Sequence, residues 1–223
     1  MGPFLVAVPA RTRGCLLAAT GLLLLYMATS CISVEFRPVD VTPETRPAEL
    51  DGARWRTSEL EYCVHNDEQG YVSHPQFVKL IDEAFARWGV AASNIGACAG
   101  EMQSGNQRNE IAWGALPQRA DELHEAGLTE VLFQTCSSRC EPGSRSEIVE
   151  ADITVSNSPP GRLRNSDCLF ATLLHEAGHF LGVPHLSGPA VMAPVTFDCP
   201  LRLTETDLEA LRQLYPSLTS TGR

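Results

Sequence analysis

Positive charge is scarce in this sequence. Seventeen lysine and arginine residues stand against 27 aspartate and glutamate residues, and the formal net charge at pH 7 is −10. Lys79 is the only lysine. A protein that binds nucleic acid needs a concentrated basic surface, because the phosphate backbone is negatively charged. We therefore expect no nucleic acid among the partners of this protein.

Long hydrophobic runs are also missing. The leucine-rich stretch at residues 14–27 is shorter than the roughly 20 apolar residues that a transmembrane helix requires. Arg11 and Arg13 precede this stretch, and the small residues 28–30 follow it. A basic start, a short apolar core and small residues at the end are typical of a secretory signal. We assign residues 1–30 to such a signal.

Residues 28–31, Ala-Thr-Ser-Cys, resemble a bacterial lipobox, with alanine in place of the more usual leucine. In a lipobox the cysteine is lipidated and becomes the mature N-terminus. The resemblance implies a lipid on Cys31 and attachment to a membrane through it. We expect an exported protein, anchored to an outer membrane or cell surface. The alternatives are a cleaved signal that releases a secreted protein, and an anchor that stays uncleaved.

The cysteines agree with export. Cys15 and Cys31 fall in the N-terminal segment, which leaves six of the eight cysteines for the rest of the chain. An even number of cysteines in an exported protein favours disulfides, although sequence leaves their pairing open. The candidate pairs are Cys136–Cys140, Cys168–Cys199 and, by elimination, Cys63–Cys98. For Cys136 and Cys140 the alternative is a second zinc site.

The rest of the chain divides into a tether and one domain. Residues 31–57 are polar and interrupted by prolines, so we expect a tether that holds the domain away from a membrane surface. Trp55, near the end of this segment, is expected to cover the core. With 43% hydrophobic and 20% charged residues, the chain has the composition of a soluble globular protein. We place the domain at residues 58–217 and a short tail at residues 218–223.

Hydrophobic periodicity predicts both helices and strands, and therefore an α+β domain. An apolar stripe at helical spacing runs from Phe77 to Trp88, and a capping box at Thr204 and Asp207 begins a last helix. Residues 147–157 alternate strictly between apolar and polar side chains, which predicts a strand with one solvated face. Further short strands are predicted at residues 60–64, 111–113 and 131–133.

The clearest motif is H-E-x-x-H-x-x-G-x-x-H, from His175 to His185. His175 and His179 are four residues apart, so a helix places both imidazoles on one face, where they can bind one zinc ion. Gly182 can take the left-handed conformation that ends a helix, and His185 can then return as third ligand. Glu176 can act as general base on a zinc-bound water. The alternative is a buried helix whose histidines only satisfy hydrogen bonds.

This motif resembles that of the metzincin zinc proteases, which also have a methionine in a tight turn downstream. Met192, seven residues after His185, matches that Met-turn. The group that the chain resembles most is the matrixins, the matrix-metalloprotease-like enzymes, over roughly residues 58–216 and most strongly from Glu150 onward. The resemblance implies a zincin domain with a twisted mixed sheet, two long helices, a zinc cleft with its Met-turn, and a C-terminal helix.

The resemblance also implies where a peptide substrate would bind. In matrixins the strand before the zinc helix forms the upper rim of the cleft and pairs with the substrate backbone. Here that strand contains Ile153, so we expect an edge strand that binds substrate. An exposed strand without a ligand is the alternative. By analogy with the family, Pro194 and Val195 would line the S1′ pocket that follows the scissile bond.

Some matrixin features are missing from the sequence. No segment before the domain matches the cysteine motif with which a matrixin pro-segment blocks the zinc. The histidine- and aspartate-rich loop that holds a structural zinc ion and calcium in vertebrate members is not visible either. We therefore predict one catalytic Zn²⁺ and no structural zinc, and calcium stays open. Leu186 stands where many matrixins have serine or threonine, which leaves the subfamily open.

These features predict a monomeric, zinc-dependent endopeptidase that hydrolyses peptide bonds of extracytoplasmic proteins. Glu176 would take a proton from the zinc-bound water as that water attacks the scissile carbonyl. The alternative from another functional class is a non-catalytic, lipid-anchored binding module in which zinc only stabilises the fold. The glutamate favours the enzyme, because a structural zinc site has no use for a general base or for an open coordination position.

Overall fold

The computed structural model describes residues 36–40, 52–57, 59–66, 69–116, 126–134, 146–194 and 198–216. All of these residues lie in one compact unit, Ser33–Arg223. The expected signal segment, Cys31, the Cys136–Cys140 pair and Val195 lie outside the described residues, so what we predict for them stays a prediction. Among the residues described, no helix is long and apolar enough to cross a membrane.

A mixed sheet and three α-helices form this unit, which confirms the α+β prediction. The strands are β1 (Phe36–Asp40), β2 (Leu60–Val64), β3 (Ala92–Ala97), β4 (Glu110–Gly114), β5 (Gly127–Gln134) and β6 (Glu147–Ser156). The helices are α1 (His74–Trp88), α2 (Ser166–Phe180) and α3 (Glu205–Leu214). The sheet order is β1-β5-β6-β4-β2-β3, and β5 runs antiparallel to both of its neighbours. The expected two long helices and C-terminal helix are all present.

Helix α1 forms where the apolar stripe predicts it. Pro75 stands in the first turn, where the missing N–H would have no helical partner anyway. Gly89 ends the helix in the left-handed conformation, with φ at +69°. The indole Nε1 of Trp88 donates to the carbonyl oxygen of Leu174 at 2.9 Å. Helix α1 is thereby fixed against α2, the helix that carries the histidines.

Strand β6 lies in the interior of the sheet, so the expectation of an edge strand is wrong. Ile153 pairs with Ile111 on β4 and with Thr129 on β5, and it is only 1% exposed. A strand that is paired on both sides has no free edge to offer to a peptide. Ile153 is therefore a core residue and not a substrate-binding one. Its outer neighbour β5 is in turn covered by β1 along residues 130–134.

The polar face of β6 is also buried, contrary to the predicted solvated face. The backbone N–H groups of Gly105 and Gln107 donate to the carboxylate of Glu150. The N–H of Glu110 donates to Oδ1 of Asp152 at 2.9 Å, whereas no group donates a hydrogen bond to Oδ2. Burial raises the pKa of Asp152, and the charges of Glu150 and Glu110 raise it further. We call Glu150 and Asp152 the sheet carboxylates.

Parts of the segment expected as a tether, residues 31–57, belong to the fold. Strand β1 extends the sheet beyond β5, and Arg54 forms an isolated bridge to Glu147 at the start of β6. Trp55 is buried, and its indole N–H donates to the carbonyl oxygen of Phe180 at 2.8 Å. Trp55 thus covers the core, as expected, and it does so at the C-terminal end of the histidine helix.

Two of the three candidate disulfides are present among the described residues. The Cys63–Cys98 bond joins β2 to the residue that follows β3, and the Cys168–Cys199 bond joins the first turn of α2 to the segment before α3. Strand β3 itself is absent from the predictions. It forms an edge of the sheet and is largely exposed, so its side chains show no apolar alternation that would reveal a strand.

Candidate metal centre

Helix α2 and the turn after it bring three histidines together. The Nε2 atoms of His175 and His179, one helical turn apart, are separated by 3.0 Å. Gly182 follows the helix with φ at +86°, and a Cβ there would lie 2.3 Å from the carbonyl oxygen of Ala53. Only glycine fits this tight turn. Beyond it, the Nε2 atom of His185 lies 3.1 Å from that of His179.

The second ring nitrogens fix which atoms face the centre. Nδ1 of His175 lies 2.7 Å from the carbonyl oxygen of Val191, and Nδ1 of His179 lies 2.8 Å from that of Val183. A carbonyl oxygen only accepts, so each Nδ1 must carry the proton, and each Nε2 then presents a lone pair. Two lone pairs 3.0 Å apart repel each other unless a cation lies between them. The donor set therefore fits a metal ion.

The protonation state of the rings also suits a metal. Burial lowers the pKa of His175, His179 and His185, and their mutual proximity lowers it further for His179 and His185. The pKa of His185 falls to about 4. The three rings are therefore neutral at pH 7, which is the form that coordinates metals.

The geometry and chemistry of the group fit zinc. Tetrahedral bonds of about 2.0–2.1 Å from zinc to imidazole would place the nitrogens roughly 3.3 Å apart, close to the separations of 3.0 Å and 3.1 Å seen here. Within the described part of the chain, no fourth histidine, cysteine or acidic side chain joins this group. Three protein ligands with a free fourth position are the usual arrangement in catalytic zinc sites.

Met192 lies directly beneath the histidine helix. Its side chain is fully buried, and a Cβ on Gly178 would come within 2.3 Å of its sulfur. The absence of a side chain at Gly178 is thus what lets the turn approach α2. The N–H of Leu186 donates to the carbonyl oxygen of Met192 at 2.8 Å, which ties the turn to the segment just after His185. Met192 thus packs against α2 at Gly178, next to His179.

Asp207, on α3, holds the Met192 turn in place. The backbone N–H groups of Val191 and Met192 donate to its two carboxylate oxygens at 3.0 Å each. The N–H and hydroxyl of Thr204 donate to the same carboxylate, so the predicted capping box is confirmed. Sequence indicated only the capping role, because a cap pattern is local and says nothing about a partner from another segment.

A residue of strand β5 holds the side chain of Glu176. Its carboxylate accepts a hydrogen bond of 2.7 Å from the hydroxyl of Thr129 on β5. Gly127, two residues earlier, leaves room for the glutamate, since a Cβ there would lie 2.6 Å from Cγ of Glu176. Sequence did not single out Thr129, which lies in β5 but outside the strand predicted at residues 131–133. We call Glu176 and Asp207 the site carboxylates.

The remaining predicted site residues lie apart from these contacts. Pro194 is exposed, two residues beyond Met192, and its role in a substrate pocket stays a prediction. Ile153 is excluded by its place in the interior of the sheet. The structure therefore groups the three histidines, with Glu176 next to His175 on α2 and Met192 packed against the same helix.

Comparison with known families supports the same assignment. The model of the Matrixin family, Peptidase M10, matches residues 54–216, which is more than half of the chain. This match includes every residue of the histidine group, the Met192 turn and α3. A comparison with curated proteins finds no match.

Proposed function

We propose, from the premise that the chain belongs to the matrixin family, that it is a zinc-dependent endopeptidase acting on extracytoplasmic proteins. The match over residues 54–216 establishes the family, and with it a metallopeptidase as the class of protein. The observation that carries the proposal is the group of three Nε2 atoms, with Glu176 at the next position of the same helix after His175. A purely structural site would need no carboxylate there.

In peptide hydrolysis, a bound zinc ion and the protein's side chains would have separate roles. A bound zinc ion would polarise the scissile carbonyl and make a water molecule more acidic. His175, His179 and His185 would hold the ion through neutral nitrogens, so that they add no negative charge to it. Glu176 accepts the proton of the attacking water and then passes it to the leaving amine. Asp207 holds the Met192 turn, and Met192 packs against the helix that carries His175 and His179.

We place the activity outside the cytoplasm, with the protein held to a membrane by a lipid on Cys31. The disulfides Cys63–Cys98 and Cys168–Cys199 support this, because such bonds persist in oxidising compartments. Metabolic labelling with a fatty-acid analogue tests the anchor, with Cys15→Ala as matched control. Label on wild type and on the control but not on Cys31→Ala is the expected result. An unlabelled wild type would contradict it.

Peptide-library cleavage tests the activity. The full chain is incubated with zinc beside Glu176→Ala, and zinc content is measured on both proteins. We expect wild type to cleave internal peptide bonds, and the variant to lose about 10²- to 10⁴-fold in rate while keeping its zinc. A wild type that binds zinc and cleaves no peptide would overturn the proposal in favour of a non-catalytic binding module.

A further inference from the structure

We propose that Thr129 is a positioning residue, whose hydroxyl fixes the carboxylate of Glu176 in the orientation that general-base catalysis requires. The inference rests on the proposed function for its catalytic meaning. The contact itself is a property of the chain and can be tested without any activity.

The hydrogen bond between the Thr129 hydroxyl and the Glu176 carboxylate is buried. Oγ1 of Thr129 donates to Oε2 of Glu176 at 2.7 Å, with Thr129 fully buried and Glu176 only 5% exposed. Hydrogen bonds to a charged acceptor are shorter and stronger than neutral ones, and little water is available here to replace this one. One carboxylate oxygen of Glu176 is thereby bound to strand β5.

The strand that carries the hydroxyl is paired with β6 at this point. Thr129 pairs through its backbone with Ile153 on β6, in the interior of the sheet. Gly127 lies two residues away and so on the same face of β5. A Cβ at Gly127 would come within 2.7 Å of Oε1 of Glu176. The strand therefore leaves space beside one oxygen of the glutamate and offers a donor to the other.

A purely structural role for this threonine makes a different prediction. Its hydroxyl also lies 3.2 Å from the backbone carbonyl oxygen of Glu176, a contact that could simply fasten β5 to α2. A hydroxyl has one proton and can donate to only one of the two acceptors at a time. The shorter contact goes to the carboxylate. If that contact dominates, the effect of removing the hydroxyl depends on the glutamate side chain; if the backbone contact dominates, it does not.

The kinetic test compares Thr129→Val with Thr129→Ser. Valine keeps the shape and removes the donor, whereas serine keeps the donor. We expect Thr129→Val to lower kcat about 10- to 100-fold, as for a displaced catalytic group. KM should change little, because the glutamate acts on the reacting water rather than on substrate binding. Thr129→Ser should recover most of the lost kcat.

Thr154→Val is the matched control. Thr154 lies on the adjacent strand β6, and its hydroxyl contacts the sulfur of Met102 rather than any residue of the site. Its kcat should stay near that of wild type, and all variants should hold the same amount of zinc. An unchanged kcat in Thr129→Val, or a loss in Thr129→Ser as large as in Thr129→Val, would overturn the proposal.

A double-mutant cycle on the zinc-free protein separates this proposal from the proposed function. Thr129→Val and Glu176→Ala are combined, and urea unfolding is measured for all four proteins. We expect Thr129→Val to lower the unfolding midpoint more in the wild-type background than in the Glu176→Ala background. Equal shifts would show that the hydroxyl serves only the backbone and would sink the inference. If wild type cleaves no peptide, the proposed function fails, and the cycle still decides the contact.

Discussion

Two pairs of buried carboxylates among the described residues differ in what surrounds them. The site carboxylates, Glu176 and Asp207, meet hydrogen-bond donors: a hydroxyl for the first, and two amides of the Met192 turn for the second. Of the sheet carboxylates, Glu150 is satisfied by two loop amides, but Asp152 has one oxygen without a donor and faces the charge of Glu150. Burial is common to both pairs.

The difference teaches that burial alone does not make a functional carboxylate. A buried carboxylate that accepts hydrogen bonds can hold other groups in position, as Asp207 does for the Met192 turn. A buried carboxylate beside like charges keeps its proton instead, as the raised pKa of Asp152 indicates. The partners of each side chain therefore assign its role, and each pair makes its own prediction.

The larger effect is expected at Asp207. Asp207→Ala leaves the buried amides of Val191 and Met192 without an acceptor, which should cost about 2–4 kcal/mol in the free energy of unfolding. Asp167→Ala is the matched control, since Asp167 is an exposed aspartate in the first turn of α2 and should cost less than about 1 kcal/mol. Urea denaturation measures both. If both variants lost a similar amount of unfolding free energy, Asp207 would not be holding the Met192 turn as described.

The second effect is a pH dependence at Asp152, which for a change of one pH unit is smaller than the loss expected at Asp207. Its pKa is raised from 3.8 to about 8 in the folded protein, so folding favours the protonated form. The stability it contributes is fully present below the ordinary value and is lost as pH rises toward about 8. The free energy of unfolding should fall over that range by at most roughly 1.4 kcal/mol per pH unit.

Asp152→Asn tests this dependence directly. The amide can donate to Glu150 as the protonated carboxyl does, but it does not titrate, so the slope between pH 4 and pH 8 should flatten. Denaturation at several pH values, with Asp167→Asn as control, measures the slopes. Equal slopes in wild type and Asp152→Asn would mean that Asp152 is charged in the folded protein.

The features that sequence could predict are the ones that depend on local patterns. The histidine group was visible because its ligands lie within eleven residues and follow from helical spacing and one glycine. The apolar stripe of α1 and the capping box of α3 are local as well. The contact from Thr129 to Glu176 spans 47 residues, and no local pattern encodes such a contact.

The error at β6 has a specific physical cause. Alternation in residues 147–156 shows that the strand has two chemically different faces, but not that the polar face is solvated. A loop that supplies amides from Gly105 and Gln107 buries Glu150 instead. The edge position expected for Ile153 failed for a related reason, because β5 and β1 are added beyond β6 only in the tertiary structure.

The most direct test of the central claim is a zinc titration of the metal-free full chain, with peptide cleavage followed at each addition. If the three histidines form one catalytic site, activity should be absent without zinc, rise in proportion to added zinc, and saturate at one ion per chain. His185→Ala should weaken zinc binding and lower the activity. Cleavage without metal, or saturation that is unaffected by His185→Ala, would contradict the account.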